Sequence, residues 1–158
     1  MAKVSIIGTG TWGIALGMVL AQNGHEVTAW SALPKEIEAL RESYKCKNLP
    51  GVEIPRSIVF TADLQEACTD KEMLVLSVPS VFTRGVAKQM KPFVKEGQLI
   101  VSVAKGIEEK TLMTMSQQIE EELPMANVAV LSGPSHAEEV SRGIPTTVVA
   151  GAKDRQTA

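Results

Sequence analysis

The chain has 158 residues, 44% of them hydrophobic and 22% charged, with a formal net charge of −2. That length supports one substantial hydrophobic core, and the charge balance offers no cationic field to attract nucleic acid or an anionic membrane surface. Cys46 and Cys68 have no metal-ligand spacing and point to a reducing compartment. Met1-Ala2-Lys3 runs into an apolar stretch that Gly8 soon interrupts. This is too short for a signal-peptide core, and no run reaches the length of a membrane span, so a cytoplasmic location is expected.

Lys3-Val4-Ser5-Ile6-Ile7 reads as a buried strand, Gly8-Thr9-Gly10-Thr11-Trp12-Gly13 follows at once, and Ile14 to Asn23 reads as a helix. A Gly-x-Gly-x-x-Gly turn between a strand and a helix is the context in which this motif signals dinucleotide binding. Gly8 makes the tight turn, Gly10 lets the backbone approach a pyrophosphate, and Gly13 lets helix and strand pack closely. The phosphate then rests on unpaired N–H groups at the helix N-terminus. Any tight strand-to-helix turn can use glycines, but the position after the first apolar strand favours the functional reading.

Asn23-Gly24-His25 stops the helix, with His25 as a turn residue, and Glu26 to Trp30 forms a second strand. In this architecture the end of that strand faces the adenosine ribose, where an Asp or Glu would accept hydrogen bonds from both hydroxyls of NAD. Here Trp30-Ser31-Ala32-Leu33 supplies neither a carboxylate to repel a 2′-phosphate nor an arginine to grip one. The cofactor is therefore NAD or NADP, with Ser31 as a small hydrogen-bonding contact. Pro34 suits a first helical position, and Glu36, Ile37, Leu40 and Tyr44 continue a helix with one apolar face. Lys45 to Arg56 is an ordered connection, Ile58-Val59-Phe60 a short strand, and Thr61 and Asp63 offer caps for a helix over Leu64 to Cys68.

Met73 to Val78 is a nearly continuous apolar strand, as expected when both faces of a parallel sheet are covered. Pro79-Ser80 ends it and a helix runs on to about Lys91. Pro79, Ser80 and Phe82 lie where a cofactor crevice is lined, and are read either as nicotinamide or ribose contacts or as a loop proline, a cap and a core aromatic. Arg84 reads equally as an anion contact or an exposed helix charge. Leu99 to Val103 is the next strand, followed by Ala104-Lys105-Gly106-Ile107-Glu108 and a helix over Thr111 to Leu123. Lys105, at a strand's carboxyl end, points into the same crevice as the glycine turn, where it would hold a phosphate or a substrate oxygen; the alternative is a solvated loop lysine.

Val128 to Leu131 is a strand that opens into Ser132-Gly133-Pro134-Ser135-His136-Ala137-Glu138-Glu139. Pro134, with Ser135 as a cap, predicts a turn into a short helix. Ser135 and His136 do not make a nucleophile and base, because adjacent helical side chains do not face each other. Thr147 to Ala150 is a last strand, and Asp154 to Ala158 reads as the beginning of a helix, so the chain is expected to be cut before a further domain. Repeated strand–turn–helix units predict an α/β fold: a doubly wound, mostly parallel, Rossmann-like sheet with helices on both faces, in one dinucleotide-binding domain over residues 1–158.

Beyond the first motif, Asn23-Gly24-His25-Glu26-Val27, Leu49-Pro50-Gly51, Val78-Pro79-Ser80, Ala104-Lys105-Gly106-Ile107-Glu108, Leu131-Ser132-Gly133-Pro134-Ser135 and Pro145-Thr146 occur in order. With these motifs the chain resembles the amino-terminal half of bacterial NAD(P)-dependent glycerol-3-phosphate dehydrogenase. The resemblance implies hydride transfer between the nicotinamide and dihydroxyacetone phosphate, giving sn-glycerol 3-phosphate for phospholipids. It implies cofactor contacts at Thr11, Trp12 and Ala137, a lysine touching cofactor and substrate at Lys105, and substrate contacts at Gly133 and Ser135. It also implies that the acid–base lysine belongs to a helical carboxyl-terminal domain, so that this chain alone binds a dinucleotide without efficient turnover.

Ala32 stands where the family commonly has arginine or another polar residue, Asn48 at a usual aromatic position, and His136 at a usual phenylalanine. Two other readings are a different two-domain dehydrogenase and a non-catalytic dinucleotide-binding module. An uncovered domain-facing surface would expose apolar area and favour a homodimer.

Overall fold

A computed structural model describes all 158 residues. The first strand, β1 (Lys3–Ile7), is buried from Val4 onward, because a central parallel strand is covered on both faces. It leads into α1 (Thr11–Gln22), β2 (Glu26–Trp30), α2 (Pro34–Ser43) and β3 (Val59–Thr61). Then follow α3 (Leu64–Cys68), β4 (Met73–Leu76), α4 (Thr83–Met90), β5 (Leu99–Ser102) and α5 (Met115–Glu122). The chain closes with β6 (Asn127–Ser132), α6 (Ala137–Ser141) and β7 (Val149–Ala152).

The strands form one sheet in the order β3-β2-β1-β4-β5-β6-β7. All pairs are parallel except the last. Period-two alternation sorts side chains between the faces. Val4, Ile6, Val27, Ala29 and Val75 pack with Ile14, Met18, Ile37 and Leu40 of α1 and α2. Ile7, Leu74, Leu76 and Ile100 pack on the other face with Ala67, Met90 and Ile119 from α3, α4 and α5. This is the doubly wound arrangement expected from the sequence, and its order reverses between β1 and β4. No helix is long and apolar enough to cross a membrane. Both cysteines are free, and burial pushes the Cys68 thiol up to about 12, so it is an inert part of the core.

Several boundaries differ from the expected ones. α1 starts at Thr11 rather than Ile14, because Gly10 is extended and its carbonyl accepts the Ile14 N–H at 2.9 Å. α5 starts at Met115 rather than Thr111. Leu112 takes a left-handed φ of 59°, and Ile107 bridges Thr114, so residues 108–113 form a tight turn. Thr114 then opens the helix through a capping box with Gln117. His136, not Ser135, precedes α6, and no side chain caps that helix.

β7 is displaced to Val149–Ala152 and runs antiparallel. Its direction follows from length. α6 has five residues and advances roughly 7.5 Å, whereas the six residues of β6 span roughly 20 Å. A helix that short does not return the chain to the amino end of the sheet. Asp154 closes a single turn, accepting the Thr157 N–H at 2.9 Å and its hydroxyl at 2.7 Å.

Arg84 is neither a free anion contact nor a solvated helix charge. Its guanidinium makes a two-pronged pair with Glu108, at 2.7 and 2.8 Å, and also meets Glu121 and Glu122. The pairs tie α4 to α5 and to the loop after β5. Arg84 and a hydrogen bond from the Thr111 hydroxyl hold the Glu108 carboxyl down at about 2.

That shift makes a pH prediction. Unfolded, Glu108 titrates near 4.5; folded, it titrates near about 2. The stability that the pair contributes is therefore complete above the unfolded value, declines as acid protonates the unfolded chain first, and is lost below the folded value. Glu108→Gln is expected to destabilise the protein at neutral pH and to match the wild type near pH 2. Urea melts stepped through that range measure the convergence; a constant gap would refute it.

Candidate functional site

The site lies outside the carboxyl ends of β1 and β4, where the strand order reverses. Open sheets of this kind bind ligands at such a crevice. Gly8 continues the β1–β2 ladder, donating its N–H to Trp30 O at 2.9 Å, then turns with φ of 120°. A Cβ at Gly8 would meet Val78 N at 2.8 Å, and one at Gly13 would meet Gly8 O at 2.2 Å. Both glycines are needed for close packing. Ser77, just past β4, locks the turn by donating its hydroxyl to Gly8 O at 2.7 Å. Ser77 sits inside an apolar run and belongs to no motif, so the sequence carries no signal for this role.

Gly10 differs: a Cβ there would find nothing within 4 Å. It opens α1 with no side-chain cap, leaving the first-turn N–H groups directed into the crevice. The buried Thr9 hydroxyl beside it has no hydrogen-bond partner. An uncapped helix start, open space over Gly10 and an orphaned hydroxyl fit the phosphates of a dinucleotide.

Two hollows meet at this turn. One, of about 560 Å³, runs toward β2 and is lined by Gly8, Thr9, Gly10, Trp30, Ser31 and Glu36 on one side and by Pro79, Val81, Phe82 and Gln89 on the other. Phe82 is 59% exposed and forms part of this wall, so it is not the core aromatic that was its alternative reading. The other hollow, of about 390 Å³, runs toward β5 and β6 and holds Thr11, Trp12, Lys105, Ser135, His136 and Ala137. Gly10, Ser77, Val78 and Pro79 line both. A broader concavity of about 890 Å³ lies at the opposite end of the sheet, among Met1, Lys3, His25, Glu26 and Asp70. The Gly24 turn at the end of α1 lines it, and the Gly8–Gly13 turn does not.

Lys105 donates to Gly133 O at 2.8 Å, which joins the loops after β5 and β6. Ser135 N donates to the same carbonyl at 2.9 Å, and its hydroxyl lies 3.5 Å from it. Lys105, Gly133 and Ser135 thus converge as the motif reading required. The Ser135 hydroxyl faces that carbonyl and makes no bond to His136, which gives no support to a hydrolytic pair.

One expectation is overturned at the β2 end, where a carboxylate does stand. The Ser31 hydroxyl donates to Glu36 Oε2 at 2.6 Å and accepts the Leu33 N–H at 3.2 Å. Pro34 at the first position of α2 fixes where the helix starts and so brings Glu36, in its first turn, back beside Ser31. Pro34 is the signal in the sequence that places Glu36 in the first turn of α2.

The glycines separate stability from binding. Gly13→Ala is expected to cost about 2 kcal/mol or more, since its Cβ collides with backbone. Gly10→Ala is expected to stay within about 1 kcal/mol of the wild type yet to weaken dinucleotide binding, because only the ligand's space is filled. Urea melts paired with NADH titration check both; equal stability loss in the two variants would refute the distinction.

Comparison with known proteins agrees with this geometry. A family model described as NAD-dependent glycerol-3-phosphate dehydrogenase N-terminus matches residues 3–158. The glycerol-3-phosphate dehydrogenase [NAD(P)+] of Agathobacter rectalis is 59% identical over 159 residues, covering 100% of this chain and 47% of that protein. The Fusobacterium nucleatum protein of the same name is 52% identical over 159 residues, covering 99% and 48%. A crystal structure of glycerol-3-phosphate dehydrogenase from Coxiella burnetii superposes with a TM-score of 0.91 at 28% identity, over 98% of this chain and 48% of that one. The chain spans about half the length of the curated relatives it matches. It belongs to the family of NAD-dependent glycerol-3-phosphate dehydrogenase N-terminal domains.

Proposed function

We propose that the chain is the NAD(P)-binding half of an sn-glycerol-3-phosphate dehydrogenase, acting on dihydroxyacetone phosphate or sn-glycerol 3-phosphate. The observation that carries this reading is the convergence of Lys105, Gly133 and Ser135 on the hollow that adjoins the uncapped start of α1. When bound, the nicotinamide supplies or accepts the hydride.

The chain's own residues bind and orient. Gly10, Thr11, Trp12 and the first turn of α1 hold the pyrophosphate; Pro79 and Phe82 flank the nucleotide; Ala137 borders the nicotinamide side. Lys105 carries the one ammonium in the β5–β6 hollow, where it holds a negative or polarised oxygen of cofactor or substrate. Gly133 O fixes the direction of that ammonium, and Ser135 offers a hydroxyl for the substrate. A second lysine, outside these residues, exchanges the proton at the substrate oxygen. The apolar floor lined by Leu16, Val75, Val101 and Leu131 supports association through that face, either with a further domain or as a homodimer.

Calorimetric titration of the chain with NADH and with NADPH tests the assignment. Saturable binding of at least one, without turnover of dihydroxyacetone phosphate, is expected. Lys105→Ala is expected to weaken that binding about tenfold, the effect of losing one charge-assisted hydrogen bond. Binding of neither dinucleotide would overturn the reading, and rapid turnover would place the proton-exchanging group within this chain.

A further inference from the structure

We propose that Glu36, held by Ser31, is the residue that selects the dinucleotide lacking a 2′-phosphate, so that the chain prefers NAD(H) to NADP(H). The inference rests on the dinucleotide reading above and adds a direction to it. No residue at the end of β2 makes this choice in the usual way, because Ser31, Ala32 and Leu33 carry no charge.

Three observations converge. Glu36 is the only formally charged side chain lining the β2-side hollow. A 2′-phosphate placed there would find no lysine or arginine, and a carboxylate instead. The two cations of α2 do not line it: Lys35 is exposed, and Arg41 donates to Phe60 O at 2.6 and 3.0 Å.

The second observation is the polarity of the Ser31–Glu36 bond. Ser31 is 7% exposed. Its oxygen accepts from Leu33 N–H, and its single proton goes to Glu36 Oε2. The serine therefore has no second proton for a ligand, while the carboxylate keeps unshared lone pairs. Such a pair accepts hydrogen bonds from a ribose diol and offers nothing to a phosphate, which is itself an anionic acceptor.

The third concerns the helix end. The start of α2 carries the positive end of the helix dipole and would otherwise attract an anion. Pro34 removes one N–H there, Glu36 N–H is bonded to Leu33 O at 3.0 Å, and the Glu36 carboxylate lies in the same turn. The first turn of α2 thus already carries a negative charge, although no side chain caps its N–H groups. The start of α1 has no such internal anion and remains open for the pyrophosphate.

Titrating the chain with NADH and NADPH across the series Glu36, Glu36→Gln and Glu36→Lys tests the assignment. Glu36 is only half-buried, so the series perturbs charge with little demand on the core, and thermal melts confirm folding. The wild type is expected to bind NADH about tenfold or more tightly than NADPH, the range of one nearby like-charge repulsion in a partly solvated cleft. Glu36→Gln is expected to bring the two within about threefold, chiefly by strengthening NADPH binding, and Glu36→Lys to reverse the order. Equal affinities in the wild type, a preference for NADPH, or a ratio unmoved along the series would overturn the assignment while leaving dinucleotide binding intact. Binding of neither dinucleotide by any member would overturn it together with the reading on which it rests.

Discussion

The contact on which the rest depends is the approach of Gly13 to the carbonyl of Gly8. With a Cβ position only 2.2 Å from that oxygen, no other residue lets the first turn of α1 sit directly over the end of β1. Ser77 completes the arrangement from β4 by donating to the same carbonyl. The end of β1, the start of α1 and the distant end of β4 are thereby fixed at the point where the strand order reverses, and the open start of α1 faces outward there. Had α1 been lifted away, its uncapped N–H groups would meet bulk water and the two hollows would separate.

The crevice is electrically graded. Glu36 sits at its β2 end and Lys105 at its β5–β6 end, with the positive end of α1 between them. A molecule with a neutral sugar at one end and phosphates in the middle matches that order.

Much of this was legible in the chain because it is encoded locally. β1, β2 and α3 fall where strand periodicity and the Asp63 cap place them. The glycine spacing and the Ala104–Glu108 and Ser132–Ser135 motifs name residues that the fold does bring together. The misreadings share a cause: each depended on a side-chain bond outside the local periodic pattern or on backbone freedom that composition hides. Leu112 adopts a left-handed conformation that its residue type disfavours, so the expected start of α5 was too early. Ser77 acts across the sheet on Gly8, Arg84 on carboxylates of another helix and loop, and Glu36 on the end of the preceding strand. Hydrogen bonds of this kind leave no periodic trace.

The two ends of the crevice are also held by different forces. Around Ser31 the backbone continues the sheet ladder, with Ser31 N donating to Thr61 O at 3.2 Å, so that wall is as rigid as β2 and β3. Around Lys105 the ladder has ended. Its loop is anchored at one end by β5, through Val103 N to Leu76 O at 3.1 Å, and at the other by Arg84 gripping Glu108. Lys105 itself crosses to Gly133 O. The Lys105 ammonium is therefore set by two side-chain links, whereas the backbone at Ser31 is set by the sheet ladder. Perturbing Arg84 reaches Lys105 through three residues of loop but has no comparable route to Ser31, which makes the Lys105 end the adjustable half of the crevice.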